Sequence, residues 1–448
     1  LATPGAQAQQ KDSLTIGLTL EPPHLDPTAG AAAAIDEIVY ANLFEGLTRI
    51  DDNGAVQPQL AESWDVSGDG LVYTFTLQDG VKFHDGTNFD ADDVVFSLDR
   101  ARADGSVNAQ KQLFAAIDTV EAVDARTARI TLSRPEGALL FNLGWGDAVM
   151  VARESAATNK VAPIGTGPFK FDRWVRGSQI RLVATDDTRA IRKVTFRFVP
   201  DPSAQIAALK AGDIDAVSNL QAPEAVIALQ ADPNFEVAIG STEGETILAM
   251  NNSRAPLNDI RVRQAIAHAI DRQAIIDGAM FGFGTPIGTH FAPHHPAYVD
   301  LIATYPHDPA RARALLADAG QSDLKLTLKL PPPTYARRGG EIVAAQLKEA
   351  GITVEIIPVE WAQWLEQVFR GTDYDLTIVS HTEPVDIGIY ARDTYYFNYD
   401  SPSLKALMAR LNNTSDQAAR NRILGQAQRT ITSDSVSAYM FQLAKLGV

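Results

Sequence analysis

The sequence predicts an α/β protein of two lobes, with a hairpin-rich α+β lobe inserted into the first. Three observations carry this reading. A strand with period-two alternation opens the chain and β/α alternation resumes after residue 165. Residues from about 50 to 134 have the texture of short hairpins instead. Beyond residue 245, strands and amphipathic helices alternate again. Two jaws with an accessory lobe is an arrangement that takes ligands between its jaws.

In the opening strand Leu14, Ile16, Leu18 and Leu20 alternate with Thr15, Gly17 and Thr19. It gives way to a stiff turn-rich loop, Glu21-Pro22-Pro23-His24-Leu25-Asp26-Pro27. In the inserted segment Tyr73, Phe75 and Leu77 alternate with Thr74 and Thr76, with turns at Asp79-Gly80 and Asp85-Gly86. Asp90 then fits the N-cap of a helix carrying Val94, Val95 and Leu98. After "PIGTGPFKFDRWV", a strand over 194–199 is followed by a helix over 204–211. Farther on, Asp259 caps a helix with Val262, Ala265, Ile266, Ala269 and Ile270 on one face. A later helix stops at Gly351, a strand runs from Ile352 to Val359, and a second helix sets Trp361, Trp364, Leu365 and Val368 along one stripe.

Composition narrows the function. With 448 residues the chain has room for several cores, and 45% hydrophobic against 21% charged residues marks a globular protein. Its formal net charge of −16, without a Lys/Arg stripe interleaved with aromatics, argues against nucleic acid as a partner. No apolar run approaches the roughly 18 residues of a membrane span, so membrane insertion is not expected. The absence of cysteine excludes disulfides and thiolate metal sites. Ala6-Gln7-Ala8 has the small-x-small form of a signal-peptidase site, which makes residues 1 to about 10 the end of an export signal or a mature tail.

Familiar catalytic motifs are missing: no Gly-x-Ser-x-Gly elbow, zinc-helix His-Glu-x-x-His, phosphate loop or EF-hand spacing. His290, His294 and His295 in "GTHFAPHHPAY" read as a loop sooner than a metal site, and no metal or cofactor is expected. The acidic run "FDADDVVF" suits a helix N-terminus. Trp361 stands nearest the end of its strand, which makes it a better pocket wall than Trp364. The most chemical stretch is "TIVSHTEPVDIGIY": an apolar strand runs into His381, Glu383 and Asp386, where α/β proteins place ligand-binding loops.

Residues 43 to 100, beginning "LFEGLTRIDDNGAVQPQLAESWDV", resemble the signature region of the family 5 extracellular solute-binding proteins, the peptide/nickel/opine-type receptors of ABC importers. "IGTGPFKFDRWVRGSQIRL", "MNNSRAPLNDIRVRQAIAHAIDRQAII" and "EIVAAQLKEAGITVEI" agree in the same order. The resemblance implies a periplasmic-binding-protein fold: two mixed-sheet α/β lobes, a two-strand hinge and an inserted α+β domain. Lobe I would comprise 11–45, 161–244 and 433–448, lobe II 46–160, and lobe III 245–432. A small polar solute would be enclosed between lobes I and III and handed to permease subunits, the protein being a monomeric, exported, periplasmic receptor and not an enzyme. In that frame the candidate contacts are Glu21 and His24 on lobe I, Asn251 at the opening of lobe III, and Trp361, His381, Glu383 and Asp386.

Peptide-binding members resembling this chain carry a Gly-Trp-x-x-Asp-type sequence after the strand matching Asp375 to Val379. Here Ser380-His381-Thr382-Glu383-Pro384-Val385-Asp386 stands instead, so an opine-like, modified amino-acid or peptide-like solute is expected over a generic peptide. Two other readings use the same residues: a metal-chelate carrier of the nickel type built on His290, His294, His295 or His381, and a hydrolase with His381 as general base oriented by Glu383 or Asp386.

Overall fold

Residues 11–30, 32–383, 386–414 and 416–448 are described in a computed structural model of the chain. The Ala6-Gln7-Ala8 site lies outside the described residues. Contacts divide the chain into two units, residues 1–222 with 447–448, and residues 223–446.

In the first unit the opening alternation forms the strand Ser13–Leu18, which pairs in parallel with Lys193–Phe198 and with Ala216–Val217. Antiparallel Gln179–Ala184 and Phe169–Val175 complete a mixed five-stranded sheet. Its core gathers Leu18, Ile35, Phe44, Leu182 and Phe196. The hairpin-rich segment forms a separate antiparallel sheet, in the order Ala61–Val66, Val72–Leu77, Thr127–Leu132, Ile117–Asp124. The helix Ala91–Arg102 packs on it through Val94 and Leu98. Asp90 caps that helix as its sequence predicts, in a box with Asp93.

Gly165 and Gly167 show why "PIGTGPF" needs glycine. Gly167 N–H donates to the Leu43 carbonyl at 2.9 Å and Phe169 N–H to Asn42 at 3.0 Å, so the two backbones lie against each other. A Cβ at either glycine would collide with the carbonyl of Leu43 or Asn42.

Nearby, Asp36 and Asp147 are buried together, and one oxygen of each has no hydrogen-bond partner. Burial pushes Asp36 up to about 6, and burial together with the Asp36 charge pushes Asp147 up to about 7. Both carboxyls bind protons more tightly folded than unfolded. Their contribution to stability is full in acid and is lost as pH rises from about 4 through about 7.

The second unit holds a six-stranded mixed sheet, in the order Gly284–Pro286, Ser437–Gly447, Ala238–Met250, Leu376–His381, Leu324–Leu330, Ile352–Pro358. Leu324–Leu330 is parallel to both of its neighbours, whereas Ala238–Met250 and Leu376–His381 are antiparallel. The central strands are buried on both faces. Leu248, Met250, Leu376 and Ile378 serve one core, and Ile247, Ala249 and Val379 the other. The helices Ile260–Ala269, capped by Asp259, and Thr334–Glu349 cover the first of these faces.

Three features differ from expectation. The strand Ser437–Gly447, placed by sequence with lobe I, runs inside the second unit's sheet, because Tyr439, Met440 and Phe441 must be buried on both faces. Only Gly447 and Val448 join the first unit, where Val448 and Val217 exchange backbone bonds. Contacts likewise divide at Ala222/Pro223, whereas the sequence reading put a boundary at 244/245. The stripe expected on Trp361, Trp364, Leu365 and Val368 is also split: Trp364 and Val368 are buried while Trp361 and Leu365 are exposed. The helix is α only over Trp361–Trp364 and widens to a π turn over Leu365–Arg370, which changes the face on which successive residues fall. Among the described residues no helix is long and apolar enough to cross a membrane.

The Asp36–Asp147 pair yields a testable expectation. Asp147→Asn removes the buried charge with little change in shape and raises stability at pH 8 by on the order of 1–2 kcal/mol, with a smaller effect at pH 4. Thermal unfolding at the two pH values checks it. Equal shifts at both would refute the buried-charge account.

Candidate ligand-binding site

The strand Leu376–His381 delivers His381 to the end of the second unit's sheet, opposite Glu245 on the neighbouring strand. The chain returns after the loop into a short 3-10 turn that begins at Asp386. His290 arrives from a third direction. Its segment is fixed by Ile287 N–H on the Met440 carbonyl at 3.1 Å. Two stretches remote in sequence, the one around His290 and the one from His381 to Asp386, therefore meet at one carboxylate.

The geometry is a chain of five groups. His290 Nε2 lies 2.7 Å from Asp386 Oδ1, and His381 Nδ1 lies 3.3 Å from Asp386 Oδ2. On their outer sides, the Tyr390 hydroxyl is 3.1 Å from His290 Nδ1 and the Tyr396 hydroxyl 2.8 Å from His381 Nε2. The pattern fits tyrosine O–H groups donating outward-in and both imidazoles donating to the carboxylate. Burial works to raise the Asp386 carboxyl, but the two imidazoles overcome it and hold the group well below the usual carboxylate range. His290, fully buried, is lowered by burial against the pull of Asp386, and burial raises both tyrosines. Rings pack around the chain: His381 stacks on Tyr396 and Tyr390 on Phe397.

Beside this cluster stands Glu245, 3% exposed, whose Oε2 has no hydrogen-bond partner. Burial, then Asp386, Glu243 and Glu383, push its carboxyl well above the ordinary value. The site is thus rich in acid and imidazole.

Around it lies a more open rim. Trp361, Leu365 and Phe369 are exposed, and Phe369 meets Tyr395 edge-on at 5.6 Å. Tyr395 in turn lies beside His381, and the Arg392 guanidinium sits over its ring at 5.2 Å. Burial raises the Tyr395 hydroxyl, with Asp386 and Glu383 adding to that and Arg392 opposing it. Glu383 itself is exposed.

Of the residues named from sequence, the structure brings His381 and Asp386 into direct contact, with Glu383 and Trp361 in the rim. Asp386 is a buried structural anion and not an open contact. Asn251 stands elsewhere: it follows Met250, which pairs with Leu376 at the opposite end of that strand from His381. Its amide donates to the Thr372 and Tyr374 carbonyls and accepts from Asn398, so it clamps backbone. Glu21, in the first unit, accepts from Trp174 Nε1 and Gly177 N–H. His24 Nδ1 accepts from Asp26 N–H at 3.3 Å.

The three histidines of "GTHFAPHHPAY" separate. Only His290 joins the cluster; His294 contacts Glu243 and Gln442, and His295 Nδ1 accepts from Ala297 N–H. Tyr390, Tyr395, Tyr396 and Glu245 escaped the sequence reading. The aromatic density of "YYFNY" and the paired acids of "TEGETILAM", leading into an apolar run, were the available signals. A groove lined by Arg410, Asn413 and Arg422 contains none of these residues.

This geometry separates the two acids by mutation. Asp386→Ala leaves two buried imidazoles without their acceptor and lowers unfolding stability by about 2–4 kcal/mol, whereas Glu383→Ala stays within about 0.5 kcal/mol of the parent. Denaturant melts of the two variants check this. Equal stabilities would show that Asp386 does not hold the cluster together.

A family model for bacterial extracellular solute-binding proteins, family 5 Middle, matches residues 55–422. Di/tripeptide-binding protein 4 of Pseudomonas aeruginosa (strain UCBPP-PA14) is 32% identical, with 96% of this chain and 89% of that protein covered. The ABC transporter substrate-binding protein CtaP of Listeria monocytogenes superposes with a TM-score of 0.88 at 24% identity, over 98% of this chain and 94% of that one, a likeness of fold. The binding protein AgaA in complex with agropinic acid, from A. tumefaciens R10, superposes with a TM-score of 0.76 at 27% identity, over 97% and 92%.

Proposed function

The chain belongs to the bacterial extracellular solute-binding proteins of family 5, and we propose that it captures a small zwitterionic solute, opine-like, modified amino acid or peptide-like, for the permease subunits of an ABC importer. One observation carries the choice of solute. The Arg392 guanidinium sits over the ring of Tyr395 and the exposed Phe369 meets that ring edge-on, while the carboxylate of Glu383, two residues after His381, and the ring of Trp361 are also exposed. An acid and a base flanking an aromatic surface match a molecule with an ammonium group, a carboxylate and an apolar stem. The di/tripeptides for which the Pseudomonas relative is named belong to that chemical range.

The mechanism is binding without turnover. The family and the Pseudomonas relative are named for binding, and His381 makes its contacts within the protein, to the Tyr396 hydroxyl and toward Asp386. Capture would act by population shift: a solute preferring the closed form of the two-lobed receptor moves the equilibrium by its differential affinity, about 5.5 kcal/mol for a change from 1:99 to 99:1.

The reading is tested by thermal shift and calorimetry against a panel of opines, free amino acids and di- and tripeptides. A zwitterionic member binds with no product formed. Glu383→Gln and Arg392→Gln each weaken it at least tenfold, and Trp361→Ala does so to a smaller degree, with little change in unfolding temperature. Tight binding of an uncharged solute, unaffected by these variants, would overturn the assignment.

A further inference from the structure

We propose that His290 Nε2, His381 Nδ1 and a carboxylate oxygen of Asp386 form a binding site for one divalent transition-metal ion of the zinc class. The three donor atoms lie within 4.8 Å of one another. One ion with metal–nitrogen bonds of about 2.0–2.1 Å and metal–oxygen bonds of about 2.0–2.2 Å holds its ligand atoms roughly 3–4 Å apart, so only small side-chain shifts are needed. Two imidazoles and a carboxylate are a donor set for zinc, nickel or iron(II), and too poor in oxygen for calcium.

Three further features support an ion there. Each imidazole is already oriented from behind: the Tyr390 hydroxyl meets His290 Nδ1 and the Tyr396 hydroxyl meets His381 Nε2. With an ion bound, His290 Nε2 and His381 Nδ1 give up their protons, the outer nitrogens carry the N–H and the two tyrosine oxygens accept, so the rings keep their orientation while the tautomer of the metal-free cluster is reversed. Next, Glu245 pairs directly across the sheet with His381 and so shares its face. Its Oε2 is buried with no hydrogen-bond partner, and the charges acting most strongly on it are the carboxylates of Asp386, Glu243 and Glu383. A dication would balance that excess and give the orphaned oxygen a nearby positive charge. Finally, the ligands come from a central strand end, a 3-10 turn and the segment after the strand Gly284–Pro286, which an ion would tie together. With three protein ligands, one position stays open for water or a donor from a bound molecule.

The proposal stands independently of the solute reading. The full chain, dialysed against EDTA, is titrated with Zn2+ and separately with Ni2+ by calorimetry, with metal content measured afterwards. The expected result is one ion per chain. His381→Gln and Asp386→Asn each weaken binding at least 100-fold, Tyr396→Phe weakens it about 10–100-fold, and His294→Gln leaves it unchanged. X-ray absorption of the one-to-one zinc complex of the unmodified chain shows two imidazoles plus oxygen, a readout that survives if a variant fails to fold. Absence of stoichiometric binding, wild-type affinity in His381→Gln, loss of binding in His294→Gln, or a metal shell lacking two imidazoles would each overturn the site.

Discussion

The second unit turns on one carboxylate. Asp386 sits between His290 and His381, and neither ring would be tolerable where it stands without that acceptor. An unpaired charge in this position would be neutralised or expelled; two imidazoles, each held in turn by a tyrosine, make it the most satisfied group of the loop. Because its partners come from residues far apart in sequence, the contact fixes where the segment after His381 begins and where the rim residues Arg392 and Tyr395 point.

That contact depends on the sheet beneath it. The central strands are covered on both faces, so their register has no freedom to slip: a one-residue shift would exchange Ile378 and Val379 between two different cores. Register in turn sets Glu245 opposite His381. The burial of Glu245 beside other carboxylates is thus a consequence of packing, retained at a cost in folding free energy. The same tension appears in the first unit at Asp36 and Asp147, where one oxygen of each acid is buried without a hydrogen-bond partner. Natural sequences concentrate such locally unfavourable choices where function demands them.

In the proposed site the rim and the buried cluster have different parts to play. Residues that are exposed, Trp361, Phe369 and Glu383, have surface to offer a solute. Behind them His290, His381 and Asp386 are bonded to one another and to Tyr390 and Tyr396, which holds the rim in place. Trp361 and Trp364 illustrate the division within three residues, since Trp364 is buried with Nε1 on Thr377 Oγ1 while its neighbour faces out.

Local pattern in the sequence determined a good deal. Period-two and helical spacing marked the strand Ser13–Leu18, the antiparallel sheet with its Asp90-capped helix, the Asp259-capped helix and the β/α units around Gly351, because each depends on residues only a few positions apart. The resemblance in residues 43 to 100 pointed to the family by the same local means, and His381 and Asp386 stood out as an acid and a base at a strand end. Tertiary structure alone decided which of the polar residues meet. His290 and Asp386 stand 96 positions apart in the chain, Asn251 turned to clamping backbone, and Ser437–Gly447 joined the second unit's sheet. Those outcomes rest on long-range burial and on matching donors to acceptors across the fold, and neither leaves a periodic trace in the chain.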